Sequence, residues 1–188
     1  DLLYWLTSRR DEFSKEGTLP FINEYILSRP GIWNTQDDTL KVVGLARMMK
    51  DLLSRTPVGS ELPKAKNLIL GSSSVESQSN TTVRPDHFQE QPDVNSSLLR
   101  DWTRKWNRLR GKGGYIVFHT EGCPVCKAEL AVADSLGLKT LEVNVDEIMV
   151  SAPDLAKALL DTFDLSSMPF IIEVGRHGII RRRYVSFL

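Results

Sequence analysis

Apolar residues recur along this chain in two rhythms, one of about 3.6 residues and one of about 2. Between 39 and 53 they fall at 42, 45, 46, 49, 52 and 53, which predicts an amphipathic helix; Asp38 or Thr39 can cap its start and Pro57 closes it. Leu98, Leu99, Trp102, Trp106 and Leu109 form a second helical stripe, ended by Gly111-Lys112-Gly113-Gly114. A third starts at Pro153 and runs through Ala156, Leu159, Leu160 and Phe163. Nearer the beginning, Leu2, Leu3, Leu6 and Phe13 line one short face. Thr18 ahead of Pro20 predicts a helix over 21–27, which Pro30-Gly31 breaks.

The shorter rhythm marks strands. Tyr115-Ile116-Val117-Phe118 predicts one over 115–119, and 138–145 alternates apolar with polar residues. Pro169 to Val174, a turn at Gly175-Arg176-His177-Gly178 and the run 179–185 read as a β-hairpin. Residues 63–70, ending in Leu-Ile-Leu, read as a short strand. Between 71 and 97 the chain turns to Ser, Asn, Gln, Thr and Pro, which predicts a long surface loop. A helical run over 127–136 follows the strand at 115–119. The resulting order from 63 onward is strand, helix, strand, helix, strand, helix, strand, strand. That is an α/β domain over 57–188, preceded by a helical N-terminal extension over 1–56 that carries no reactive constellation.

Charge narrows the partners. Lys+Arg 24 against Asp+Glu 24 gives no net pull toward nucleic acid or anionic membranes. Arg100, Arg104, Lys105, Arg108, Arg110 and Lys112 have Trp102 and Trp106 among them, but both indoles lie on the apolar stripe. The run therefore reads as the solvated face of a packed helix, not as a nucleic-acid surface. No uncharged apolar run reaches the length of about 18 residues that a membrane span needs. The opening residues lack the basic flank and cleavage site of a signal peptide. Starting on Asp1 suggests processing or trimming, so membrane association is expected only through an N-terminal anchor outside this sequence.

The chemistry lies in the two cysteines, Cys123 and Cys126. Too few for a disulfide framework, they stand where a predicted strand gives way to a predicted helix. A Cys-x-x-Cys at a helix N-terminus puts two thiols about one turn apart, close enough to bond. The first meets unpaired backbone N–H groups and the positive end of the helix dipole, which favour its thiolate; Lys127 adds positive charge and Glu121 opposes it. Pro124 fits the first helical position, where its missing N–H costs nothing. Zinc would need four ligands; there is no second Cys pair, and a two-Cys, two-His site would need His119 and the distant His177 to converge on this one. No metal or cofactor is expected. His119 reads as a wall of the site or as a tuner of the thiolate.

This order around Cys-Pro-Val-Cys, with Pro169 opening a strand 43 residues after Cys126, resembles the thioredoxin superfamily. Thr56-Pro57-Val58-Gly59-Ser60-Glu61-Leu62-Pro63 is similar to the lead-in of TlpA/ResA-like thiol-disulfide oxidoreductases, and Glu129, three residues after Cys126, matches the Cys-x-x-Cys-x-x-Glu pattern of that branch. Residues 1–56 resemble the N-terminal extensions of its Bacteroidetes members. The resemblance covers 57–188 and implies a three-layer α/β/α fold with a mixed central sheet.

It also implies roles. Cys123 is the nucleophile and Cys126 the buried resolving thiol. Met168 and Pro169, with Pro169 in cis, form the loop facing the dithiol, and with Pro124 they contact substrate. Thioredoxins carry a buried Asp where Val117 stands and a Trp where Gly122 stands, which leaves Glu129 as the expected proton relay; the bland reading of Glu129 is a solvated helix residue. The family's final helix has no counterpart in the 19 residues after Pro169. The function implied is a thiol-disulfide oxidoreductase in the bacterial envelope, periplasmic or otherwise extracytoplasmic. It would act as a reductase on protein disulfides, with a dithiol electron donor as second partner. The alternative is a binding or assembly module of the same fold with a slow or vestigial dithiol.

Overall fold

A computed structural model describes residues 12–29, 39–70 and 94–188. Within them, helix α1 spans Glu12–Phe21 and continues as a π-helical segment, Ile22–Leu27. Helix α2 is Thr39–Leu53, α3 is Ala65–Leu70 and α4 is Val94–Lys112. Strand β1, Gly114–His119, leads to helix α5, Pro124–Ser135, and then to β2, Thr140–Asn144. Helices α6, Val145–Ser151, and α7, Pro153–Thr162, precede β3, Phe170–Val174. A 3-10 turn at Arg176–Gly178 joins β3 to β4, Ile180–Arg183.

The four strands form one mixed sheet in the order β2-β1-β3-β4. β1 is parallel to β2 and antiparallel to β3, which is antiparallel to β4. Phe118 stands opposite Val143 on one side and Phe170 on the other. Alternation sends Ile116, Phe118, Val143, Phe170 and Ile172 to one face, where they join a single buried cluster. Phe163 of the turn after α7 sits at its centre, 5.0 Å from Phe118 and 6.1 Å from Trp106 between ring centroids. Each such fully buried aromatic contributes about 1.5–3 kcal/mol. Ile22, Ile26, Ala46 and Leu53 of the helical lead-in belong to the same cluster.

Val117 and Ile171 are equally buried but face the other way. On that side Tyr115 packs edge-on against Phe187, and the Phe187 N–H and Ser186 hydroxyl bond to Glu129 of α5. Helix α5 therefore lies on this face, with Cys126, Glu129 and Ala133 as its buried stripe. Gly114 makes the close passage at the start of β1. Its φ is 147°, and a Cβ there would stand 2.6 Å from the Lys139 carbonyl that accepts the Tyr115 N–H.

Four local expectations need correction. Residues 65–70 are helical rather than extended, because Ala65 and Leu68, three apart, are the pair that reaches the core. Pro20 lies in the last turn of α1 instead of ahead of a new helix, and the buried Thr18, Ile22 and Ile26 keep the chain helical through it. Helix α4 begins at Val94, inside the stretch expected as loop. The strand expected over 138–145 ends at Asn144, whose side chain accepts the N–H groups of Asp146 and Glu147 and so caps α6, a helix the apolar pattern alone did not announce. The expectations for 71–93, for Leu2, Leu3 and Leu6, and for Pro30-Gly31 and Asp38 lie outside the described residues.

The basic triple Arg181-Arg182-Arg183 is split between surface and core. Arg181 and Arg182 both pair with Glu173, whereas Arg183 is 1% exposed and donates to the carbonyls of Leu53 and Arg55.

Candidate functional site

The site forms where β1 ends. His119 closes the strand, Gly122 turns the chain at φ 71°, and Cys123 caps α5. Its Sγ accepts the Cys126 N–H at 3.1 Å, the capping bond that a Ser or Asp makes elsewhere. Pro124 takes the first helical position, as its ring geometry favours. Cys123 and Cys126 are joined in a disulfide with Cα atoms 5.3 Å apart. The two sulfurs differ in access. Cys123 is half-buried with Pro124 and Val125 exposed beside it, while Cys126 is 1% exposed.

The Met168–Pro169 peptide is cis, as the sequence reading expected. Pro169 immediately precedes Phe170, which pairs with Phe118 near the end of β1. The sheet thus brings the Met168–Pro169 loop and the Cys123 turn to the same end of its two central strands, although the two are far apart in sequence. The loop is itself held: buried Asp164 accepts the Ser166 N–H and hydroxyl and the Tyr184 hydroxyl, the last at 2.7 Å. Sequence reasoning missed Asp164 and Tyr184; the one signal was an acidic residue directly after an apolar helix, too common to use.

A cleft of about 320 Å³ reaches Cys126 from the other side, lined by His119, Glu121, Lys127, Leu130 and Asn144 among others. His119 is half-buried in this wall and makes no side-chain hydrogen bond among the described residues. Asp146 accepts the Glu121 N–H at 2.7 Å and ties the turn to α6. Among the described residues no group of three or more His, Cys, Asp or Glu side chains is placed to hold a metal ion. No helix among them is long and apolar enough to cross a membrane.

Glu129 is neither solvated nor free. It is 3% exposed, and its carboxylate accepts the Ser186 hydroxyl and the Phe187 N–H, both at 2.6 Å. The structure thus gives it a definite task, fixing the C-terminal segment across α5. Glu129→Gln keeps the shape but turns one acceptor into an NH2 group that faces a donor. We expect a loss of about 1–3 kcal/mol in folding stability, read by urea unfolding; an unchanged midpoint would mean that the clamp carries no weight in solution. Compared with protein-family models, with curated proteins and with solved structures, the chain matches none.

Proposed function

We propose that this protein is a thiol-disulfide oxidoreductase of thioredoxin-like fold that reduces protein disulfides outside the cytosol. The observation that carries the reading is the asymmetry of the dithiol: an accessible Cys123 at a helix N-cap, a buried Cys126, and a cis Met168–Pro169 loop at the same end of the sheet. The sheet order, with β3 antiparallel to its neighbours and α5 following β1, supports the fold assignment.

In the reaction the Cys123 thiolate attacks one sulfur of a substrate disulfide. A Cys123–substrate bond forms, the substrate S–S bond breaks, and the second substrate sulfur leaves as a thiolate. Cys126, deprotonated, then attacks the Cys123 sulfur. The intramolecular disulfide closes and the substrate leaves with both sulfurs reduced. Two electrons have passed from the protein to the substrate, and an external dithiol donor restores the starting state by the same exchange. Glu129 serves as proton relay to Cys126, one turn away on α5, in the place that Val117 cannot fill. Exposed Pro124 and the backbone of Met168 contact the substrate chain.

The test is the reduction potential of the pair, from equilibration in glutathione and dithiothreitol buffers followed by thiol trapping. A reductase requires a value near −250 mV or lower. A value between about −120 and −180 mV would reverse the direction to oxidant or isomerase. A pair that never exchanges with the buffer would refute the enzyme reading.

A further inference from the structure

The dithiol reading leaves one edge of the sheet unused. β2 has β1 on one side, and among the described residues no strand pairs with the other. The Tyr115 N–H bonds to the Lys139 carbonyl, so strand alternation turns the N–H and C=O groups of Thr140 and Glu142 outward. Such an edge is a template for a further strand.

Helix α4 passes beside this edge and leaves two depressions that share Lys105 and Leu141. One, of about 470 Å³, has Leu109, Leu138 and Leu141 as its floor and Arg108, Lys112 and Lys139 around it. The other, of about 220 Å³, is lined by Leu98, Trp102 and Val143 with Asp101, Glu142 and Glu147. Together they make a groove along β2 that is basic at the Lys139 end and acidic toward Glu147. Lys105 is already paired with Asp101 at 2.7 Å. Arg108, Lys112 and Lys139 are exposed and have no ion-pair partner among the described residues.

An independent observation points to an occupant. Trp102 is 7% exposed, and its Nε1–H is a buried donor without an acceptor among the described residues. Trp106, stacked on it at 4.8 Å, gives its own N–H to the Pro63 carbonyl. Buried polar groups are nearly always satisfied, so an orphan donor on a residue that lines the groove is an independent sign of a missing acceptor.

We propose that this groove binds an extended peptide segment of a partner protein, which adds as a strand to β2 and carries acidic residues at the end lying against Arg108, Lys112 and Lys139. The outward groups of Thr140 and Glu142 take the backbone of the added strand. Leu141 and Val143 take its apolar side chains, and a carbonyl accepts the Trp102 Nε1–H. The carboxylates of Glu142 and Glu147 repel acid at the opposite end, which fixes the direction of the charge gradient in the ligand. The inference does not depend on the dithiol chemistry, although Asn144 lines both this groove and the cleft at Cys126.

The test is an NMR titration of the whole chain with blocked peptides built on a Thr-Val-Thr-Val core. One carries three Asp before the core, one carries them after it, and two counterparts carry Lys instead. One Asp peptide is expected to shift the amides of Thr140 and Glu142 and the Trp102 indole N–H, and to bind at least about tenfold more tightly than its Lys counterpart. Reversing charge with Arg108→Glu and Lys112→Glu, both at exposed positions, should weaken it by about tenfold or more with the unfolding midpoint unchanged. Trp102→Phe should also weaken it while leaving the fold intact. Absence of shifts at the edge, equal affinity for Asp and Lys peptides, or full affinity in Trp102→Phe would each overturn the proposal. Protection of the same amides by concentration alone, without peptide, would assign the edge to a second copy of this chain instead.

Discussion

If the proposed exchange reaction holds, a Cys126→Ala variant is expected to accumulate mixed disulfides at Cys123, and a Cys123→Ser variant to fall to the uncatalysed background of disulfide exchange. The two outcomes follow from access. Cys123 is the sulfur a substrate can reach, and Cys126 is 1% exposed beneath it. Removing the inner thiol leaves the first exchange intact and abolishes the intramolecular attack that ends it, so turnover slows by about a hundredfold or more while adducts persist. Both substitutions suit the local structure. Ser at 123 still offers an oxygen to the Cys126 N–H and keeps the cap on α5. Ala at 126 avoids burying a hydroxyl, which Ser there would do. The measurement is mass spectrometry of alkylated protein after incubation with insulin. Equal loss in both variants with no adduct in either would rule out exchange through Cys123.

The same end of the sheet shows what a sequence can and cannot disclose. The Cys123 turn was legible because its signals are local: an apolar run, two cysteines and a proline at a helix start within a dozen or so residues. The strands around it were legible from a continuous apolar run at 115–118 and an alternating one at 138–145, whereas their order in the sheet came only with the structure. Residues 65–70 were misread because a run of three apolar residues fits either period, and only the Ala65 and Leu68 contacts decide it. Helix α6 did carry a signal, Asn144 followed by Asp146 and Glu147, but it lies directly against a strand end and was absorbed into it. The surroundings of the site are long-range. Glu129 meets Ser186 and Phe187, and Asp164 meets Tyr184, across separations that no spacing rule reaches. A carboxylate three residues after Cys126 reads as relay or solvated face from sequence alone, and burial removes the second of these.

Arg183→Met should cost about 2–4 kcal/mol of stability. Arg183 is 1% exposed and stands at the end of β4, yet its donors go to the far side of the molecule. One nitrogen gives hydrogen bonds to the Leu53 carbonyl at 2.9 Å and the Arg55 carbonyl at 2.6 Å. Those carbonyls close α2, where the helix runs out of N–H partners and its dipole is negative. The next link repeats the arrangement: Arg55 donates to the Leu160 and Phe163 carbonyls, and Thr56 to that of Thr162, at the end of α7. Helix C-termini from the lead-in and from the α/β domain are thus held by cationic side chains from one another's neighbourhood. Methionine fills the volume of the aliphatic stem but leaves the Leu53 and Arg55 carbonyls at the close of α2 without the donor. In a chain of this size each kcal/mol moves the unfolding temperature by about 2–4 °C, so the drop should fall between about 4 and 16 °C. Arg182→Met is the control. Its guanidinium is exposed and pairs with Glu173, an arrangement that contributes about 1 kcal/mol or less. Urea unfolding of both variants decides the matter. Equal and small losses would mean that the buried arginine is no more than a surface ion pair in its effect, and that apolar contact alone joins the lead-in to the sheet.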